Sequence, residues 1–530
     1  MKIKTSIILI VSTITQPALA YVTSGLPGHV HRAWLKQMTI EVCDTAPGQL
    51  SQEMCNKAPQ LLSAWAQNPY VPHTKSKACS ETYPHHGKEC AIFCEKLLKR
   101  LIDERRAGNP NAIASTQTYN SLIDVWSRSG EKGAAAQRAE DIVIGMQDAY
   151  SLGEKDVQPD LESFRLVLKA WSQAHGEEYA PHRAQRLLEW MVNLHQSGQN
   201  DLVEPDSDCF NIVLNSWANS NHIDAPRKAE NMIMYMDKLY NNGNADAKPN
   251  RDNFNYVLKA WSKSENLIDA ATRAEDILNF MLFLSKQEGE DDLTPNITTY
   301  SSVISAWARS KHQDSGRKAD GVLKKLERES KVSRDPELTS NTILYNLVID
   351  AHAKSPSNKA HTRARAVLDR QIRLYKDGNN ECKPDVYSFT SVLSSCASLT
   401  GTASKKEKQQ AFDIAMSTFY EMSRFNLAPN HVTYGMMLKA CSRLLPLGRE
   451  RRNVTRNFFR MACKDGCVGE MVLNRLEDAA SSAQYKGLMK NITKDQLPEE
   501  WTKNLPASDF HSRKYKKNNN SAKRKMSKQK

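Results

Sequence analysis

Two kinds of residue in this 530-residue chain have types and spacings that bear on chemistry. Cys90 and Cys94 stand four apart with His85 and His86 just upstream, and Cys463 and Cys467 repeat the spacing far downstream. Neither set has the spacing of a zinc motif, and scattered buried thiols are the plainer reading. The second kind is a short amide or hydroxyl placed directly after an aromatic ring: Asn120, Asn211, Asn255, Ser301, Asn346 and Thr390. About 40 residues beyond each stands an Asp or Asn, in order Asp160, Asn250, Asn296, Asn341, Asp385 and Asn430. Such side chains donate and accept hydrogen bonds; they are tools of recognition. No nucleophile motif, phosphate-cradling glycine loop, clustered metal-binding carboxylates or His-x-Glu with Cys-x-x-Cys accompanies them. The chain reads as a binder, not an enzyme, and implies no cofactor and no metal.

The elements that position these groups follow from the rings. Tyr119, Phe164, Phe210, Phe254, Tyr300, Tyr345, Phe389 and Tyr434 recur at gaps of 45, 46, 44, 46, 45, 44 and 45 residues. After each ring, apolar residues fall at i+3, i+4 and i+7, as in Phe254, Val257, Leu258 and Trp261. That is one face of a helix. Most of these helices are preceded by Pro and then Asp or Asn, which end the incoming chain and cap the new helix. A second helix is marked by an Ala and an apolar residue seven later: Ala139/Met146, Ala184/Met191, Ala229/Met236, Ala274/Met281 and Ala319/Leu326. Gly, Asn, Asp and Pro fill the link to the next unit, as in NNGNADAKPN at 241–250. One helical hairpin cannot bury both its faces, so tandem copies must stack. The expected fold is all-α, a right-handed superhelical α-solenoid with the Trp and Tyr stripes as core. Leu61 to Ala66 read as a degenerate capping unit with Ala58 in the ring position.

The phrase P-[DN]-x-x-[ST]-[FY]-N-x-[VL]-[IL], followed by a helix with an Ala and a late Met, resembles the pentatricopeptide repeat family over roughly 114–445. The units here are longer, with the excess in the turn and the link; Met422 to Pro429 alone keeps the compact link. The resemblance implies a sequence-specific binder of single-stranded RNA taking one base per unit. Two side chains then read each base: the residue after the ring and the residue after the next unit's Pro. The implied pairs are Asn120/Asp160, Arg165/Asp206, Asn211/Asn250, Asn255/Asn296, Ser301/Asn341, Asn346/Asp385 and Thr390/Asn430. By the family's rule they favour U, an undefined base, two pyrimidines, A, U and A, in that order from the 5′ end. Gly435 has no side chain to read with.

Two residues before each ring the family places an apolar side chain that stacks on the base. Here the positions hold Gln117, Glu162, Asp208, Asp252, Thr298, Ile343, Tyr387 and Val432; the last three suit stacking. Charge follows the same division. Residues 116–300 carry 17 basic and 29 acidic groups, whereas residues 301–445 carry 23 and 14. Of the chain's net +13, nine positive charges lie in residues 511–530, which hold no acid. Since phosphate attraction dominates RNA affinity, the units from Ser301 onward and the tail are expected to contact RNA. The acidic first half is a candidate surface for a protein partner. A helical scaffold for protein–protein interaction is the competing reading.

The N-terminus has Lys2 and Lys4, an apolar run from Ile7 to Ile14, and Ala18-Leu19-Ala20 before Tyr21. This reads as a secretory signal peptide, too short in its core to span a bilayer. Residues 21–40 contain His29, His31, Arg32 and Lys36 and no acid, in the manner of a transit peptide behind an aromatic junction. A plastid reached through the ER, as in algae with secondary plastids, accounts for both; a mitochondrion or the secretory pathway are the alternatives. No membrane partner is expected. The segments are then a signal peptide (1–20), a leader (21–60), a capping repeat (61–113), eight repeats (114–445), a helical cap (446–510) and a basic tail (511–530).

Overall fold

The computed structural model describes residues 28–506, apart from 47, 68–85, 265–268, 288–290, 311, 334, 336, 337, 358, 400–402, 491, 494 and 495. The signal peptide, the Tyr21 junction, Cys79, His85 and the basic tail lie outside the described residues. Every regular element among the described residues is helical. The chain divides into two compact units, Met1–Pro249 and Asn250–Lys530.

The first unit opens with α1 (Gly28–Asp44), α2 (Gln52–Gln67) and α3 (His86–Arg106). These pack through Leu35, Val42, Ala58, Leu61, Leu62, Trp65, Leu97 and Leu101, and the Trp65 indole donates to Thr39 Oγ1 at 3.1 Å. The degenerate hairpin is therefore α2 with α3; it starts nine residues before the expected boundary at 61 and rests on α1, a helix inside the segment assigned to the leader. Three repeats follow: α4 (Thr116–Ser127) with α5 (Lys132–Ser151), α6 (Leu161–Gln173) with α7 (Ala180–Gln196), and α8 (Ser207–Asn219) with α9 (Ala225–Asn241).

The second unit continues with α10 (Arg251–Lys263) and α11 (Ala270–Leu284), α12 (Ile297–Arg309) and α13 (Ser315–Ser333), and α14 (Thr342–Lys354) and α15 (Ala360–Lys376). Then come α16 (Val386–Ala397) with α17 (Lys405–Glu421), and α18 (His431–Leu444) with α19 (Arg449–Lys464). Helices α20 (Glu470–Ala479), α21 (Ser482–Met489) and α22 (Glu499–Thr502) close the described chain.

Both units are stacked hairpins, and the core is the one the periodicity names. Seven of the eight repeat rings are buried, as are Trp126, Trp171, Trp217, Trp261 and Trp307 and the His352, Cys396 and Cys441 that replace Trp in later units. The five Ala landmarks are fully buried, which lets each second helix approach its first closely. Gly316 marks the closest approach: a Cβ there would meet His352 Nδ1 at 2.3 Å. Each Trp in the first unit's repeats also satisfies its indole N–H on the preceding second helix, Trp126 on Glu95, Trp171 on Glu140 and Trp217 on Gln185, at 2.7–3.1 Å.

The described parts of the long links carry regular structure. Short 3₁₀ turns at Lys155–Val157, Asp201–Val203, Ala245–Ala247, Asp291–Leu293 and Asn380–Cys382 each bury their last residue two positions before the next unit's Pro. In three of them an Asn amide reaches back to the carbonyl at the start of the preceding unit: Asn200 to Pro159, Asn244 to Pro205 and Asn379 to Ser340, at 2.9–3.2 Å. The extra residues thus clasp neighbouring hairpins together instead of looping into solvent.

Candidate nucleic-acid interface

The residue after each Pro is a helix cap. Asp160, Asp206, Asn250, Asn296, Asn341, Asp385 and Asn430 accept from the backbone N–H of the third helical residue at 2.8–3.1 Å. This satisfies one of the orphan donors of the first turn. Capping orients each carboxylate or amide, leaving lone pairs on the same side of every hairpin.

The residue after the ring meets that cap from the preceding first helix. Asn120 Nδ2 donates to Asp160 Oδ1 at 3.0 Å, and Asn346 Nδ2 donates to both oxygens of Asp385 at 3.2 and 3.3 Å. A third residue, absent from the sequence-level pairs, completes the arrangement. Ser163 Oγ donates to Asn120 Oδ1 at 2.6 Å, Thr299 Oγ1 to Asn255 Oδ1 at 2.7 Å, and Ser388 Oγ to Asn346 Oδ1 at 2.6 Å. Thr433 meets Thr390 at 3.0 Å in the same way. These hydroxyls stand one residue before the ring, and the recurring Ser or Thr of the phrase was their signal. In Asn120 and Asn346 the hydroxyl thereby holds the amide oxygen while the NH2 group donates to the cap.

The pairs differ in openness. Asn120, Asn211, Asn250, Asn255, Asn296, Ser301, Asn341 and Asn430 are half-buried, Asp385 is exposed, and Asn346 and Thr390 are 8% exposed. The undefined pair is closed: Arg165 forms ion pairs with Asp206 and with Glu162. The final position is closed too, since Gly435 packs against Met471 of α20, which follows α18 where another first helix would stand.

The stacking positions all lie at or near the surface. Ile343 and Tyr387, on the adjacent first helices α14 and α16, are 64% and 54% exposed, unusual for side chains of their size. Val432 on α18 is half-buried. Ile343 and Tyr387 precede the ring positions on either side of the Asn346/Asp385 pair.

Charge in the second unit is divided between layers. Consecutive first helices pack on one another from α10 to α18, while consecutive second helices barely touch, so the first helices form the inner side of the curved stack. The inner helices α12, α14, α16 and α18 carry 4 basic and 1 acidic residue; the outer α13, α15, α17 and α19 carry 20 and 8. Most of the positive charge therefore lies on the face opposite the reading pairs. Of the cations on first helices, Lys263 of α10 and Lys439 of α18 are perturbed. Lys263 is pulled below its ordinary value by burial and by Lys259 and Arg309, and Lys439 by burial and by Arg443 and Arg475.

No group of three or more metal-binding side chains occurs among the described residues. Cys94 is buried and its thiol is pushed far up by burial, while Cys463 is pushed up to about 12 for the same reason. Such thiols are inert packing groups. No described helix is long and apolar enough to cross a membrane.

Tandem capped hairpins, several with a polar pair at their junction, define a helical-repeat protein. Residues 378–443 match the pentatricopeptide repeat domain. That span takes in α16, α17 and most of α18, and the same phrase and hairpin recur in the other units. Over residues 378–443 the chain is thus similar to the pentatricopeptide repeat domain, and its other units are hairpins of the same build. Among solved structures it is similar to the pentatricopeptide repeat protein PPR10 in complex with an 18-nt psaJ RNA element, and to a triple Cys-to-Ser form of that complex. Each comparison gives 15% identity over 93% of this chain and 94% of the other, with a TM-score of 0.20. No curated protein matches the chain.

Proposed function

We propose that the chain binds single-stranded RNA sequence-specifically along its row of first helices and acts by binding, in the stabilisation, processing or translation of an organellar transcript. The observation that carries this reading is the setting of Asn346 and Asp385. An oriented amide and an exposed carboxylate lie between two first helices, and Ile343 and Tyr387, exposed on those same helices, are assigned to cover the faces of a base. A splayed base needs that combination, edge contacts plus stacking. The contacts are assigned chiefly to Ser301/Asn341, Asn346/Asp385 and Thr390/Asn430 with Ile343, Tyr387 and Val432. Asn120/Asp160 in the first unit and Asn255/Asn296 in the second are assigned the same role, as are Asn211 and Asn250. The test is binding to single strands carrying pyrimidine, pyrimidine, A, U, A. A steep loss of affinity with salt and a clear preference over scrambled strands support the reading; equal binding of both strands, or none, overturns it.

A plastid location reached through an ER-type signal fits an RNA binder better than secretion does, and is read from residues 1–40 alone. Since Leu35 and Val42 are buried against the capping hairpin, the removed leader is expected to end before α1. N-terminal sequencing of protein from purified organelles tests both points. The exposed acids Glu162 and Asp208 at stacking positions of the first unit repel phosphate. They are the ground for assigning a protein partner to that part of the array.

A further inference from the structure

We propose that the outer face of α19 is a docking surface for the phosphate backbone of double-helical RNA. Arg449, Arg452, Arg456, Arg460 and Lys464 recur every three or four residues and so form one stripe along this helix, about 22 Å long at 1.5 Å per residue. All five are exposed. None is ion-paired among the described residues, in contrast to Arg365 and Arg370 on α15, which are paired with Asp369, Glu421, Asp320 and Glu327. Like charges this close on a helix repel one another, so the stripe is destabilising unless an anion meets it.

The helix beneath is rigidly held. Thr455, Phe458, Phe459 and Ala462 bury its opposite face, and Phe459 meets Trp501 edge-on at 5.6 Å. Arg451, beside the stripe, is used differently: it donates to the carbonyls of Asp478 and Ala479 at 2.8 and 2.9 Å and fixes α19 to α20.

The chemistry of the stripe selects the partner. Single-stranded RNA is bound by cations interleaved with rings on which bases stack. Here the aromatics of α19 are buried, and the stripe is flanked by the exposed amides Asn453 and Asn457. A convex rod of cations and amides without stacking platforms suits a partner whose bases are already stacked and which offers only phosphates and 2′-hydroxyls. The surface is on the layer opposite the reading pairs, so both can be occupied together, for example by a single-stranded target and an adjoining stem.

This inference shares with the proposed function only that the partner is RNA, and the experiment separates the two. The full chain and the variant Arg452→Gln/Arg456→Gln/Arg460→Gln are titrated with a mixed-sequence RNA duplex of about 20 base pairs, with the single strand of the preferred sequence, and with phosphatidylserine-containing vesicles. Because the three side chains are exposed, circular dichroism and melting should be unchanged. The variant should lose about tenfold or more in duplex affinity at about 100 mM salt, its log K against log salt slope should flatten by about 2 to 3, and single-strand affinity should stay within about twofold. Arg→Lys at the same positions should restore duplex binding. No duplex binding by the parent chain, an unchanged variant, or loss confined to vesicles would overturn the proposal. Duplex binding lost in the variant while no single strand is preferred would sustain it and sink the sequence-specific reading instead.

Discussion

The side-chain amide of Asn346 donates to both carboxylate oxygens of Asp385, at 3.2 and 3.3 Å, while Asp385 caps α16 by accepting from the Ser388 backbone N–H at 2.8 Å. One carboxylate therefore caps a helix and carries the proposed base-reading role, and a plain alanine scan cannot separate the two. Asp385→Asn can, because Asn caps as well as Asp. The substitution should leave the melting transition within about 0.5 kcal/mol, whereas Asp385→Ala should cost about 1 kcal/mol or more. By the family's rule, Asn at 385 should relax the preference at that base from U to either pyrimidine. Thermal melts and binding to strands varied at the single position check both halves.

Ile343 and Tyr387 make the opposite prediction. Each is more than half exposed, so truncation removes little packing. Ile343→Ser and Tyr387→Ser should leave stability within about 0.5 kcal/mol, as surface changes do. Each should weaken single-strand binding by about 1–3 kcal/mol, the usual worth of a stacking platform. Unchanged RNA affinity in both would move the binding face elsewhere. Glu162→Ile, which supplies an apolar residue where the first unit has an acid, should strengthen binding if that unit contacts RNA at all.

Asn200 tests whether the long links are structural. It is buried, donates to Pro159 O at 2.9 Å and Gln147 Oε1 at 3.1 Å, and accepts from Gln158 Nε2 at 2.9 Å. Asn200→Leu leaves these groups without partners and should destabilise the first unit by about 1–3 kcal/mol. Denaturant titration reads this directly, and a neutral result would mean that the clasp is incidental.

The hairpins, their core rings, the Ala landmarks and the Pro-Asp caps were legible because each is a local pattern repeated at a fixed period. The clasp was not, since Asn200 meets its partner across 41 residues and Asn244 across 39. The buried plug of each link was hidden for another reason. Val157, Val203, Ala247, Leu293 and Cys382 keep one position but vary in side chain from Val to Ala, Leu and Cys. Helix α1 was concealed by its resemblance to a leader, and only the packing of Leu35, Thr39 and Val42 on the capping hairpin shows it as part of the fold. Charge was legible as a total but not as a location. The excess of cations after residue 301 falls mainly on second helices, a division that exists only once the hairpins are formed.

His352 stands where five other units have Trp, and its environment makes the second unit sensitive to acid. The ring is 2% exposed, pressed against Gly316, and Nε2 has no hydrogen-bond partner among the described residues. Burial holds its pKa down to about 4; Asp320 opposes this, while Arg363, Arg370 and Lys324 add to it. His361 is lowered in the same direction, again by burial. A folded-state value below the unfolded one means that the neutral ring is favoured in the fold. The stabilisation is complete above the unfolded value of about 6.5 and is lost as pH falls towards 4. For His352 the loss should approach about 3 kcal/mol across that window. His352→Phe keeps an aromatic of similar size that cannot take a proton, and should flatten most of the slope. Chemical denaturation at several pH values between about 7.5 and 4.5 decides it. Equal slopes in parent and variant would show that His352 is not the group being protonated, and would pass the role to His361 or to Asp320, whose carboxyl, despite burial, is held down by Lys324 and Arg370.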